Sequence, residues 1–201
     1  MKNYFYLILS LLFIPLLGIK AMEVTNVPAG GLQSALGNDY MNITDLTVSG
    51  TLNAEDVKIL RLMAGGNESG GATTFGALTT LDLSGASFSG GGTYVTAETL
   101  TPTLVGGNTT ISTLMFYNCP RLVTVTLPST VTTVQQGAFQ NCSNLTTINP
   151  QPSAITTVGV KAFQNCTSLN SINLSTITSF GEFSFDNCGA LGAVTLNASV
   201  T

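Results

Sequence analysis

From residue 113 onward the apolar positions recur in a fixed phase. The pattern Phe-x-x-Cys-x-x-Leu appears at Phe116/Cys119/Leu122, Phe139/Cys142/Leu145, Phe163/Cys166/Leu169 and Phe185/Cys188/Leu191, with successive cysteines 23, 24 and 22 residues apart. Asn precedes each Cys (Asn118, Asn141, Asn165, Asn187), and each Leu is followed three residues later by Val125, Ile148, Ile172 or Val194. The pairs Val131/Val134, Ile155/Val158 and Ile177/Phe180 then arrive in step. This periodicity predicts a β-rich repeat solenoid, because one such unit cannot bury its own apolar side and must stack on neighbours. Leu122, Val125 and Leu127 point inward from a short strand, and Val131 to Val134 forms a second extended side. The segment ending in Phe139 closes the next unit, and units stack at ~4.8 Å. Four Phe, four Cys and four Leu thereby become interior columns, the Phe column being the thickest part of the core.

Upstream of the repeats the period lapses. Asn53 followed by Ala-Glu-Asp opens a helix expected near 53–64, with Glu55 and Asp56 at the favourable end of its dipole and Val57, Leu60, Arg61 and Met63 continuing to Gly65. Such a helix can cover the first repeat, where an open strand edge would otherwise pair with other chains. A shorter helix is expected around Gly31–Leu36. Residues 89–112, with Gly90-Gly91-Gly92 and Gly106-Gly107, read as a surface insertion. At the start, Lys2 precedes an apolar run from Tyr4 to Ile19, and Ala21 is a small residue suited to cleavage, so residues 1–21 read as a secretory signal peptide. An N-terminal membrane anchor is the alternative, disfavoured by Pro15 and the short run ending at Lys20. The expected layout is thus a signal peptide at 1–21, an N-terminal cap at 22–88, the insertion at 89–112 and repeats at 113–201. Residues 194–201 resemble the opening of a further repeat, from which a longer array and self-association of the 22–201 chain are expected.

The string Gly-Ala-Phe-Gln-Asn-Cys-Ser-Asn-Leu-Thr-Thr-Ile (137–148), with its counterpart at 162–172, resembles the BspA-like, or Treponema-type, leucine-rich repeat. Segments 43–57 and 78–86 look like the N-terminal cap that accompanies such arrays in Bacteroidetes surface proteins. The resemblance implies a right-handed leucine-rich-repeat solenoid with an N-terminal α/β cap. It also implies a secreted or cell-surface protein that adheres to extracellular-matrix protein, glycan or other cells.

Composition narrows the chemistry. Only 8% of residues are charged, against ~25% in ordinary soluble domains. There are 30 Thr and no His. β-Branched Thr favours strands, and the lack of His removes His-based triads and metal sites. Cleavage after Ala21 leaves four basic against ten acidic residues, a net charge of −6. The scattered Lys58, Arg61, Arg121 and Lys161 form no basic patch, so nucleic acid is not an expected partner. Four Cys in an exported chain ordinarily suggest disulfides. In-register Cβ atoms on stacked units, however, lie farther apart than the ~3.8 Å a disulfide prefers, which favours buried free thiols and no zinc site. The Asn column is expected to be buried and to satisfy backbone groups at its turn, making Asn141 and Asn165 poor glycan acceptors despite their Asn-x-Ser/Thr contexts.

Function is then sought where the repeat leaves choice. Thr124, Thr126, Thr147, Asn149, Ser171, Asn173 and Thr195 fall at outward strand positions and make a nearly uncharged face suited to hydrogen-bonded contact with protein or glycan. Asp45 and Asp82 on adjacent strands are the one carboxylate pair worth weighing for acid–base work or calcium. With no further charged residue beside them, no enzyme activity, metal or cofactor is expected. A polysaccharide-active β-solenoid enzyme and a structural spacer are the alternatives to an interaction protein.

Overall fold

The computed structural model describes residues 20–73, 75–95, 101–149, 155–170, 172–173 and 175–192. In chain order the elements are β1 (Ala21–Val27), α1 (Leu32–Leu36), β2 (Asp45–Leu52), α2 (Ala54–Met63), β3 (Thr80–Phe88), β4 (Gly91–Thr93), β5 (Thr103–Leu104), β6 (Thr110–Ile111), β7 (Thr124–Thr126), β8 (Thr133–Val134), β9 (Thr147–Asn149), β10 (Thr157–Val158) and β11 (Ser179–Phe180). The signal-peptide reading lies almost wholly outside the described residues. Its expected cleavage point falls at the first residue of β1, so a chain starting at Met22 keeps that strand from Met22 onward.

Two parallel sheets carry the architecture. The first has the order β1-β2-β3-β7-β9 and joins the N-terminal region to the repeats without a break. The second, β11-β10-β8-β6, belongs to the repeats. Both are parallel throughout because each unit runs in the same direction as the one before. Alternation decides which side is inside: Leu46, Val48 and Leu52 on β2, Leu81 and Leu83 on β3, Val125 on β7 and Ile148 on β9 are all buried. Repeats and strand-rich parallel sheets together make this a repeat-type, β-rich fold.

Local chemistry fixes the N-terminal elements. Asn53 Oδ1 accepts the N–H groups of Glu55 (2.9 Å) and Asp56 (3.1 Å), while Asp56 Oδ2 accepts the N–H of Asn53 (2.9 Å), a reciprocal capping box at the start of α2. The same carboxylate reaches across to the entry of α1, accepting from Gly30 N (2.7 Å) and Leu32 N (2.9 Å). Asp56 is fully buried and holds three main-chain donors that would otherwise be orphaned. Val57, Leu60 and Met63 turn the apolar stripe of α2 into the core.

The third side of each repeat is a turn column rather than a sheet. Its backbone hydrogen bonds follow one rule: N–H groups of one repeat donate to carbonyls of the next. Leu114, Phe116 and Asn118 donate to Gln136, Ala138 and Gln140 at 2.9, 2.7 and 2.9 Å, and Gly137, Phe139 and Asn141 donate to Val160, Ala162 and Gln164 at 2.9, 2.8 and 2.9 Å. Two positions per turn are left-handed. One is Asn in all four repeats (φ 52, 64, 61 and 56°), which suits a residue whose short amide tolerates that conformation. The other is Leu114, Gly137, Lys161 and Phe183 (φ 57, 59, 55 and 58°), where only Gly137 is unstrained. A Cβ at Gly137 would meet Leu114 Cδ2 at 2.6 Å, so a side chain there would require the end of Leu114 to shift.

The interior columns form. Phe116, Phe139, Phe163 and Phe185 stack with centroids 5.4, 5.4 and 5.1 Å apart and planes within 18° of parallel. Phe116, Phe139 and Phe163, Cys119, Cys142 and Cys166, and Leu122, Leu145 and Leu169 are fully buried. In the fourth repeat Cys188 is buried, while Phe185 and Leu191 are half-buried. The Gly/Thr-rich segment 89–112 is more than a surface excursion. It places Tyr94, Val95, Leu104 and Ile111 in the core, pairs β4 with β5, and supplies β6 to the second sheet. The glycines that mark it as irregular conceal this, because turn residues flank the short apolar stretches that pack.

Candidate interaction surface

Register assigns the outward side chains of the first sheet to rows. One row runs Ala21–Asp45–Thr80–Thr124–Thr147 and the next Glu23–Thr47–Asp82–Thr126–Asn149, each step crossing one strand. Thr124, Thr126, Thr147 and Asn149 therefore stand together, half-exposed, on one face. Asn173 is half-buried, and its Oδ1 accepts the backbone N–H (3.0 Å) and hydroxyl (2.7 Å) of Ser175, so the amide serves its own turn. Ser171 and Thr195 lie outside the described residues.

The nearly uncharged face expected from the repeats alone is only half of the surface. Because β1, β2 and β3 continue the same sheet, the rows bring Glu23, Asp45 and Asp82 onto it. A reading confined to the repeats has no means of finding these, since the strands of the N-terminal region share no period with them. Asp45 and Asp82 sit on adjacent strands but not opposite one another: Asp45 faces Thr80 and Asp82 faces Thr47. Each carboxylate serves its own neighbourhood. Asp45 Oδ2 accepts the Thr44 hydroxyl at 2.6 Å, and Asp82 Oδ1 accepts the Ser84 N–H at 2.8 Å.

The thiols are structural in their geometry. Cys142, Cys166 and Cys188 each donate from Sγ to the carbonyl of the preceding repeat's Phe, at 3.0 Å to Phe116, 3.1 Å to Phe139 and 3.0 Å to Phe163. All four cysteines are free. Burial pushes the Cys119 thiol up to about 11 and the Cys142, Cys166 and Cys188 thiols upward as well, which suppresses thiolate chemistry at neutral pH.

The Asn column departs from expectation in two ways. Asn118, Asn141 and Asn165 are half-buried rather than buried, and Asn187 is exposed. Their amides mostly bond to one another: Asn141 Nδ2 donates to Asn118 Oδ1 (2.7 Å), Asn165 to Asn141 (2.7 Å) and Asn187 to Asn165 (3.0 Å). The left-handed backbone turns each side chain along the stack instead of back into its own turn. Only Asn118, at the head of the ladder, reaches a backbone group, the carbonyl of Gly70.

Residues 101–201, half of the chain, match the BspA type leucine rich repeat region in six copies. The chain belongs to this family. No curated protein matches it. The BspA type repeat is an interaction domain, and the match reaches back to residue 101, into the segment where β5 and β6 already pair with neighbouring strands. Among the described residues, no group of three or more His, Cys, Asp or Glu could hold a metal ion. Nor is any helix there long and apolar enough to cross a membrane.

Proposed function

We propose that this BspA type chain is an exported, cell-surface or secreted adhesion protein that binds extracellular-matrix protein, glycan or another cell through the outward face of its first sheet. In this reading the repeats wind as a right-handed leucine-rich-repeat solenoid, closed at the N-terminal end by an α/β cap in which α2 covers the first repeat. The observation that carries it is the register: outward Thr and Asn side chains of β7 and β9 fall in the same rows as those of β2 and β3, giving one continuous hydrogen-bonding face. Long faces of this kind suit broad contacts built from many weak polar interactions. No large aromatic stands in these rows, which favours hydrogen bonding over stacking as the means of recognition.

The test is a panel of matrix proteins and a glycan array probed with the 22–201 chain and with T124A/T126A/T147A. The expected result is a ligand retained by the parent and lost by the triple variant at unchanged stability. Equal retention by both would remove the face as the site, and retention of nothing across the panel would return the chain to the role of a spacer.

A further inference from the structure

The outward face of the first sheet has two halves of different charge. On β7 and β9 its rows carry only Thr124, Thr126, Thr147 and Asn149, whereas on β1, β2 and β3 they carry Glu23, Asp45 and Asp82. These three surround Thr47. Glu23 and Asp82 flank it in its own row, one strand away on either side, and Asp45 stands two residues before it on β2. A strand spacing of ~4.8 Å and a rise of ~3.3 Å per residue put the three Cα atoms about 8–10 Å apart. That is within one Debye length at ~0.1 M salt, so the like charges repel. Among the described residues none of the three has a cationic partner. Lys58 pairs with Glu55 at 2.8 Å, Arg61 is buried with its Nη1 on the Leu114 and Met115 carbonyls, and Arg121 and Lys161 lie outside both rows. Nor do the three carboxylates group closely enough to hold a metal ion. Asp45 and Asp82 each use one oxygen on a neighbouring hydroxyl or N–H and keep the other for an outside donor. Solvation alone does not call for this arrangement, since charges of mixed sign would keep the face wet without self-repulsion.

We propose that the partner of this face is a protein segment bearing Lys or Arg, its cationic side chain seated over Thr47 between Glu23, Asp45 and Asp82, and not a glycan. The inference rests on the outward face being the binding surface and names the chemistry of what it binds. A Lys ammonium or an Arg guanidinium offers only donors, the complement of carboxylates that only accept. Beyond them the Thr and Asn side chains, which both donate and accept, suit the uncharged polar remainder of the same segment. From β1 to β9 the rows cross four strand spacings, ~19 Å, the reach of about six extended residues. A sulfated or sialylated glycan would bring negative charge against the same three carboxylates, and a neutral one would leave their repulsion in place. Complementary charge of this kind selects partners and speeds encounter, and salt weakens it.

Surface plasmon resonance of the 22–201 chain tests this over immobilised peptides of one length, alternating Lys-Ser, Gln-Ser or Glu-Ser, with heparin and dextran as the glycan surfaces. The parent is expected to bind the Lys-Ser peptide most tightly, to weaken as salt rises, and to pass over heparin and dextran. D45N/D82N should bind the Lys-Ser peptide about 3- to 10-fold more weakly, because Asn can still accept from Thr44 and Ser84 but carries no charge. D39N/E182Q removes the same net charge at exposed positions outside the rows and should stay within about twofold of the parent. Matching thermal melts report that the variants are folded; if D45N/D82N melts early, E23Q at an exposed position takes its place under the same expectation. Equal weakening in the two double variants would reduce the effect to net charge and overturn the proposal. So would failure to bind the Lys-Ser peptide, equal binding of the Gln-Ser peptide, or retention on heparin or dextran instead. T124A/T126A/T147A separates this from the wider reading of the face. Binding lost there but kept in D45N/D82N leaves the face standing and overturns the cationic partner, whereas binding lost only in D45N/D82N keeps the cationic partner and removes the Thr half.

Discussion

The N-terminal region and the repeats share one sheet but are held together differently. Strands β1, β2 and β3 run seven to nine residues, so long ladders and single buried polar anchors define that region. The repeats have strands of two or three residues, too short to specify much by themselves. They rely instead on side-chain columns: stacked Phe rings, thiols on carbonyls and an amide ladder. A region without internal repetition depends on individual residues such as Asp56 and Arg61, whereas a repetitive one distributes the same work over equivalent positions.

The comparison is broken most severely by emptying a column. Phe163→Ala removes a ring stacked on both sides and should cost about 3–5 kcal/mol in urea denaturation. Phe185→Ala, at a half-buried end position, should cost less. Equal losses at the two sites would mean that the stack does not act as a column. In the N-terminal region the matching blow is Asp56→Ala, which strands three main-chain N–H groups and should cost roughly 3 kcal/mol. Hydrogen exchange should show α1 and the start of α2 opening first, with the repeats still protected.

Alkaline pH sharpens the comparison by acting mainly on the repeats. A thiol whose folded pKa is raised stabilises the fold fully below its unfolded value, and that contribution is lost as pH climbs toward the folded value. For Cys119 the window runs from the ordinary 9.0 to about 11. Stability should fall above pH 9 by roughly 1.4 kcal/mol per pH unit for each fully buried thiol. A Cys142→Ala/Cys166→Ala chain should show a shallower alkaline slope in thermal melts. The mildest expected change is Asn165→Gly. It keeps a backbone suited to positive φ but removes a rung of the ladder, at a cost of about 1 kcal/mol. Asn165→Ala should cost more, because it adds backbone strain to the same loss.

What could be read in advance follows the same division. The Phe, Cys and Leu columns are legible because each position is written four times, and α2 is legible because Asn53 and Asp56 form a local signal. The second left-handed position is not legible, since Leu114, Lys161 and Phe183 are residues that sequence reasoning keeps out of that conformation. Arg61 and Tyr94 escape for another reason. Their partners are carbonyls 50-odd and about 20 residues away, and main-chain acceptors leave no mark on side-chain pattern. The acidic half of the outward face is hidden because register between aperiodic strands is set by three-dimensional packing. Only the join of β3 to β7 brings Asp82 beside Thr126.

The amide ladder gives the array a polarity. Each Asn passes its N–H to the rung before it and keeps its oxygen for the rung after, so every interior rung makes the same two bonds wherever it stands. Excising or duplicating one whole unit between two rungs would leave the surviving neighbours with partners of the same kind. The number of units is therefore free to drift by in-frame gain or loss without a change in the bonds of the remaining rungs.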